Sequence, residues 1–299
     1  MSRIQDILSK AERDGNVRHT HAGDDRHAPP AERPVGAPSY PAPRGLERRA
    51  EPEGGALPAG LREVESSGFD PLLVAANALH SLAAEQYRTL RTRLVLLEEG
   101  RARRVLLVTS PAKGDGKSIT AANLALTMAQ EFNRRVVLID ADLRRPTVHG
   151  LFGIPDQPGL VDVLGGSASL KDALVLLPDV HLAVLPAGLA PAQPAELLGS
   201  AAMRRTLEAL RSRFDRVIVD VPPVIPLADV GVLAPQCDGV LLVVRAGVTP
   251  KPLIERALNT FDAERLLGVV LNESGGGEPE YGYVGYEATY ARPASPAAR

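Results

Sequence analysis

Six aliphatic runs, VLLVT (105–109), VVLID (136–140), LAVLP (182–186), VIVD (217–220), VLLVV (240–244) and GVVLN (268–272), show no alternation of apolar and polar positions. A strand that is apolar on both faces has to be covered on both, and the stretches between these runs are long enough to supply helical crossovers. The pattern predicts an α/β domain built on a doubly wound, mostly parallel sheet, spanning 69–273 with its packed part beginning near Pro71. Ahead of it, residues 15–68 are rich in Pro, Gly, Arg, Glu and His, with too few aliphatic side chains to offset the entropy of ordering, and read as a disordered linker. In residues 1–14, Ile4, Ile7, Leu8 and Ala11 fall at i, i+3, i+4 and i+7 behind a Ser2/Gln5 capping box, the signature of a short amphipathic helix. The segment 274–299 is rich in Gly and Tyr and reads as a flexible tail.

Charge and cysteine content narrow the function classes. With 34 Lys+Arg against 36 Asp+Glu there is no general electrostatic reason to expect nucleic acid or an acidic membrane as a partner. The single cysteine, Cys237, can form no internal disulfide and has no Cys or His cluster around it for zinc. Without an apolar run of 18 residues or a secretory start, the expectation is a cytoplasmic protein with no direct membrane insertion.

The strand VLLVT runs into Ser110-Pro-Ala-Lys-Gly-Asp-Gly-Lys117-Ser118 and then into a helical stretch, which is a P-loop in its strand-loop-helix context. Glycines at 114 and 116 let backbone N–H groups close on phosphate oxygens, and the following helix adds its positive end. Lys117 can reach the β and γ phosphates, and the Ser118 hydroxyl can ligate a bridging Mg²⁺. Pro111 stands where the consensus has its first glycine, so the loop is a variant. ATP and Mg²⁺ are therefore the expected cofactors, with Lys113, Gly114, Asp115, Gly116, Lys117, Ser118 and Ile119 as the nucleotide-binding run. Asp140 and Asp142 in LIDAD and Asp220 in VIVDVPP end two further apolar strands. A parallel sheet opens all its strand C-termini on one edge, so these carboxylates should gather beside the loop and share one metal with Ser118.

These residues resemble the bacterial tyrosine kinases of capsule and exopolysaccharide assembly, in the soluble form without a membrane segment of its own. TSPAKGDGKS is similar to that family's Walker A motif, VVLIDADLRRPTVH to its Walker A′ and RVIVDVPPV to its Walker B. PGLVDVLGG and PAGLAPAQPAELLGS are similar to further family segments. The resemblance implies a P-loop NTPase of the deviant-Walker class, with Lys117, Asp140, Asp142 and Asp220 catalytic, Asp142 as the base and Asn272 as an adenine contact. It also implies that Glu85, Arg88 and Arg91, an E-x-x-R-x-x-R helix, pack against the next subunit of a ring. Further implied are a membrane-embedded chain-length determinant that activates the kinase and recruits it to the inner face of the plasma membrane, and a separate tyrosine phosphatase. Four of the six tyrosines, Tyr281, Tyr283, Tyr286 and Tyr290, crowd into the tail and are the expected phosphoacceptors. The nine residues from Asn272 to Tyr281 reach up to ~30 Å at ~3.3 Å each, enough to enter a neighbouring subunit's site. Arg144 is a candidate for steering phosphate or tail, and His149 reads as structural.

Two other functions fit a P-loop. A partition or site-selection ATPase would carry a signature lysine five residues before Lys117, where this chain has Ala112, and would have no use for a tyrosine tail. A nucleotide-bound scaffold without transfer activity is compatible with the fold alone.

Overall fold

The computed structural model describes residues 57–58, 60–97, 103–131, 134–226 and 228–273. The expected N-terminal helix, most of the expected linker and all four tail tyrosines lie outside the described residues.

Eight strands form one sheet: β1 (Arg62–Glu63), β2 (Val105–Thr109), β3 (Val136–Asp140), β4 (Val175–Leu177), β5 (Leu182–Leu185), β6 (Arg216–Asp220), β7 (Gly239–Arg245) and β8 (Leu266–Asn272). Their order is β1-β4-β5-β3-β6-β2-β7-β8, and every neighbouring pair is parallel except β4 with β5. The four helices of eight residues or more among the described residues are α1 (Leu82–Leu96), α2 (Lys117–Ala129), α3 (Ala201–Arg213) and α4 (Lys251–Leu258).

The six expected strands are all present, and the mostly parallel sheet is the predicted one. Leu106, Val108, Val136, Leu138, Ile218, Leu241 and Val243 share one buried cluster with α2. The alternate residues Leu107, Val137, Ile139, Val217, Val219, Val240 and Leu242 are equally buried, so both faces are covered. This explains why the strands read as unbroken apolar runs. Helix α2 is buried from Thr120 to Ala129, and its alanines let it lie close to the sheet. Its one buried amide, Asn123, is satisfied: Oδ1 accepts from the Ala75 N–H at 2.9 Å, and Nδ2 donates to the carbonyls of Leu72 (2.9 Å) and Ile119 (3.0 Å).

Two expectations need correction. The linker does not run to residue 68, because β1 pairs with β4, the Ser66 hydroxyl donates to the Phe152 carbonyl at 2.7 Å, and the Ser67 N–H donates to the Gly153 carbonyl at 3.0 Å. These are backbone and hydroxyl contacts, which hydropathy does not register. The sheet also has two strands more than the six aliphatic runs, and β4 runs antiparallel to β5 across the short turn at Pro178–Val180.

Candidate active site

The strand order puts β2, which carries the P-loop, between β6 and β7, with β3 one place further out. Because these strands are parallel and in register, Asp140 lies beside Asp220 and Arg245 beside Asn272 on the edge where the loop emerges. A cavity of about 600 Å³ opens there, walled by Lys113, Gly114, Gly116, Lys117, Ser118 and Ile119 of the loop and helix start, by Asp142, Arg144, Arg145, Thr147 and Leu151, by the proline-rich Pro222–Pro226 segment, and by Asn272 and Glu273.

Helix α2 begins at Gly116, whose φ of 92° is left-handed and whose missing side chain provides no cap. The first-turn N–H groups are therefore left for a ligand, the usual basis of anion binding at a helix start. Asp115, expected among the nucleotide contacts, turns its carboxylate inward: Oδ2 accepts from the Ala112 N–H at 2.8 Å and Oδ1 from the Thr249 hydroxyl at 2.7 Å. Only its backbone remains available to a phosphate. Asn272 reaches across with Nδ2 donating to the Asp115 carbonyl at 3.0 Å.

At the centre lies the Lys117 ammonium, 2.8 Å from Asp142 Oδ2, 3.2 Å from Asp220 Oδ1 and 2.9 Å from the Ser118 hydroxyl. Burial opposes its charge, but Asp220 and then Asp142 outweigh burial and raise its pKa. Burial likewise raises the Asp220 pKa, against the pull of Lys117. Ser118, Asp142 and Asp220 thus converge on one cation, and two carboxylates with a hydroxyl are the hard oxygen donors Mg²⁺ accepts alongside phosphate and water. The Lys117 ammonium occupies the point where these donors meet. Asp140 is arranged differently. Its oxygens already accept the N–H groups of Asp142 (3.1 Å), Thr147 (3.0 Å) and Val148 (3.0 Å), so it shapes the loop that presents Asp142. Burial and then the neighbouring Asp220 push its pKa up to about 7. Among the described residues no group of three or more His, Cys, Asp or Glu is arranged to hold a metal.

The remaining expected residues are also placed. Arg144 borders the cavity but is pinned by Asp229, with Nε to Oδ2 at 2.6 Å and a second bond at 3.2 Å. Arg91 donates to the Thr127 carbonyl of α2 at 2.9 Å within its own subunit, and Arg88 pairs with Glu85 at 2.6 Å on the exposed side of α1. His149 is not among the residues lining the cavity. Thr249, Arg245, Glu273 and Asp229 had no signal in the sequence, since each meets its partner only through the sheet. No helix among the described residues is long and apolar enough to cross a membrane.

A family model of an AAA domain matches residues 104–261. The tyrosine-protein kinase YwqD of Bacillus subtilis is 38% identical over 228 residues, 75% of this chain and 96% of that protein. The chain belongs to the bacterial tyrosine-protein kinase family. The kinase domain of the Escherichia coli tyrosine kinase ETK superimposes with a TM-score of 0.63 at 30% identity, over 72% of this chain and 86% of that one. Some relatives of this kinase family are much longer. The succinoglycan biosynthesis transport protein ExoP of Rhizobium meliloti is 35% identical over 67% of this chain but is spanned for only 26% of its own length. As in its family, the chain is an enzyme, a protein-tyrosine kinase built on a P-loop fold.

Proposed function

We propose that this kinase transfers the γ-phosphoryl group of ATP to tyrosines of its own C-terminal segment, in trans within a ring of copies, and thereby times polysaccharide assembly and export. The observation that carries the proposal is the meeting, in one cavity, of Lys117 and Asp142, with Asp220 buried behind Lys117, and Asn272 and Glu273, the residues from which the tyrosine-bearing segment continues.

Phosphoryl transfer depends on positioning and charge neutralisation. Mg²⁺, held by Ser118 and Asp220, would supply further neutralisation of the phosphate oxygens. The phosphate-loop N–H groups orient the β and γ phosphates, and Lys117 leaves its two carboxylates for the more highly charged phosphate. Its departure frees Asp142 Oδ2. A phenol has a pKa of ~10 and is protonated at neutral pH, so it needs a base as it attacks. The phenolic oxygen bonds to the γ phosphorus, the bond to the β–γ bridging oxygen breaks, ADP leaves, and Asp142 takes the phenolic proton. Asp140 holds Asp142 in place through its backbone N–H, and Asn272 borders the adenine of the nucleotide. Tyr281, Tyr283, Tyr286 and Tyr290 are the acceptors. Each phosphotyrosine adds roughly −1.5 to −2 charges, so four add about −6 to −8 and drive the segment from an edge that carries Asp142, Asp220 and Glu273.

Glu85 is exposed and its partner Arg88 half-buried, which leaves this pair for contact with a neighbouring copy, whereas Arg91 supports that helix from within. The likeness to ExoP supports a membrane-bound activator tied to polysaccharide assembly, which would recruit the kinase from the cytoplasm to the inner membrane face, and a tyrosine phosphatase would reset it. Intact-mass spectrometry after incubation with Mg·ATP tests the core of this. Steps of one phosphate should appear in wild type and vanish both in Lys117→Met and when all four tail tyrosines are Phe. A wild type that hydrolyses ATP without gaining mass refutes it in favour of a nucleotide-switched ATPase.

A further inference from the structure

A buried carboxylate is out of place in a loop built for phosphate, since its charge opposes the ligand. Asp115 is nonetheless 3% exposed in the middle of that loop. Its hydrogen bonds give the reason. Oδ2 accepts from Ala112 N–H at 2.8 Å across the loop, and Oδ1 accepts from the hydroxyl of Thr249, 134 residues further along the chain, at 2.7 Å. The same Thr249 oxygen accepts from the Arg245 N–H at 3.0 Å. Arg245 in turn holds Glu273, with Nε to Oε2 at 2.7 Å, and the Ala246 N–H donates to the Asn272 carbonyl at 2.8 Å. Asn272 closes the circuit by donating to the Asp115 carbonyl at 3.0 Å. The phosphate loop, the turn after β7 and the end of β8 are therefore one hydrogen-bonded unit.

We propose that Thr249 and Asp115 form a latch that holds the phosphate loop in its binding shape before nucleotide arrives and ties that shape to the strand end at Asn272 and Glu273. Both are positioning residues: they act through the loop, while the N–H groups and Lys117 make the contacts. The physical case is preorganisation. Gly114 and Gly116 sit at φ of 88° and 92°, and glycines sample so many conformations that an untied loop would have to be ordered by the ligand itself. A carboxylate with two donors fixed on opposite sides removes that freedom in advance.

This inference rests on nucleotide binding at the loop, and calorimetric titration of the full chain with Mg·ADP keeps the two separable. Thr249→Val preserves shape but strips Asp115 Oδ1 of its donor. Loss of a hydrogen bond to a charged group corresponds to about a tenfold to hundredfold weaker Kd. In phosphoryl transfer the KM for ATP should rise alongside while kcat changes by less than about threefold, and Thr249→Ser, which restores the hydroxyl, should bind within about threefold of wild type. A Thr249→Val variant that binds within about twofold of wild type, or a Thr249→Ser variant as weak as Val, overturns the latch. Should Thr249→Val fail to fold, Asp115→Asn decides. Removing a negative charge from a phosphate site would by itself tighten binding, whereas the latch requires weaker binding; tighter binding overturns it. A wild type that binds no Mg·ADP overturns the nucleotide assignment and the latch together.

Discussion

Gly116 is the position at which a single methyl group should do the most damage, and the structure supplies its own control in Gly114. Both glycines have left-handed φ, 92° and 88°, so alanine at either incurs a backbone cost of about 1–2 kcal/mol. A Cβ at Gly114 meets nothing within 4 Å, whereas one at Gly116 lies 2.0 Å from Asn272 Nδ2, closer than any real contact. Asn272 must then swing away and lose its bond to the Asp115 carbonyl, a further ~0.5–1.5 kcal/mol. For a domain of this size ~1 kcal/mol moves Tm by about 2–4 °C, so Gly114→Ala should lower Tm by roughly 2–8 °C and Gly116→Ala by roughly 3–14 °C. A double-mutant cycle by thermal or urea unfolding isolates the contact: Asn272→Ala should cost about 1 kcal/mol less in the Gly116→Ala background than in wild type. Equal Tm values for the two glycine variants, together with strict additivity of Gly116→Ala and Asn272→Ala, would refute the claim that Gly116 is required by the close approach of Asn272.

Stability in the nucleotide-free protein should depend on Asp140 in a direction opposite to that of a salt-bridged aspartate. Its folded pKa of about 7 lies above the ordinary 3.8, so between those values the folded state binds more protons than the unfolded one. Stability then falls as pH rises from about 4 to 7 and levels off above; Tm values at pH 5 and pH 8 should show a smaller decline in Asp140→Asn, and equal declines would contradict the assignment. Arg144→Ala leaves the fully buried Asp229 carboxylate without its guanidinium. Breaking a buried pair costs about 3–5 kcal/mol, and because the Arg144 side chain is 38% exposed the expected loss is nearer ~2 kcal/mol, measurable by denaturant unfolding. Cys237 is buried, and burial pushes its thiol up to about 12, so a thiol reagent should modify it only after unfolding; fast labelling of the native protein would disprove this.

The six unbroken aliphatic runs were enough to define the parallel sheet, because burial on both faces leaves a mark on every residue of a strand. Gly114-Asp-Gly-Lys117-Ser118 was enough to locate the loop that borders the cavity, since strand, loop and helix start are contiguous and their geometry is local. The convergence of Asp142 and Asp220 on that site also followed, from the rule that parallel strands open on one edge. Three things did not follow from the sequence. Two-residue β1 and three-residue β4 are held by backbone pairing with a sheet edge, which is indifferent to side-chain polarity. The roles of the aspartates could not be divided, because Asp140, Asp142 and Asp115 look alike in sequence and differ only in whether their oxygens meet backbone N–H groups, a lysine or a hydroxyl. Thr249, Arg245 and Asp229 carried no signal at all, since each gains its partner across strands 28 to 134 residues apart in sequence. Local chemistry and burial are written along the chain; the pairing of polar groups across a sheet is decided only when the strands take their places.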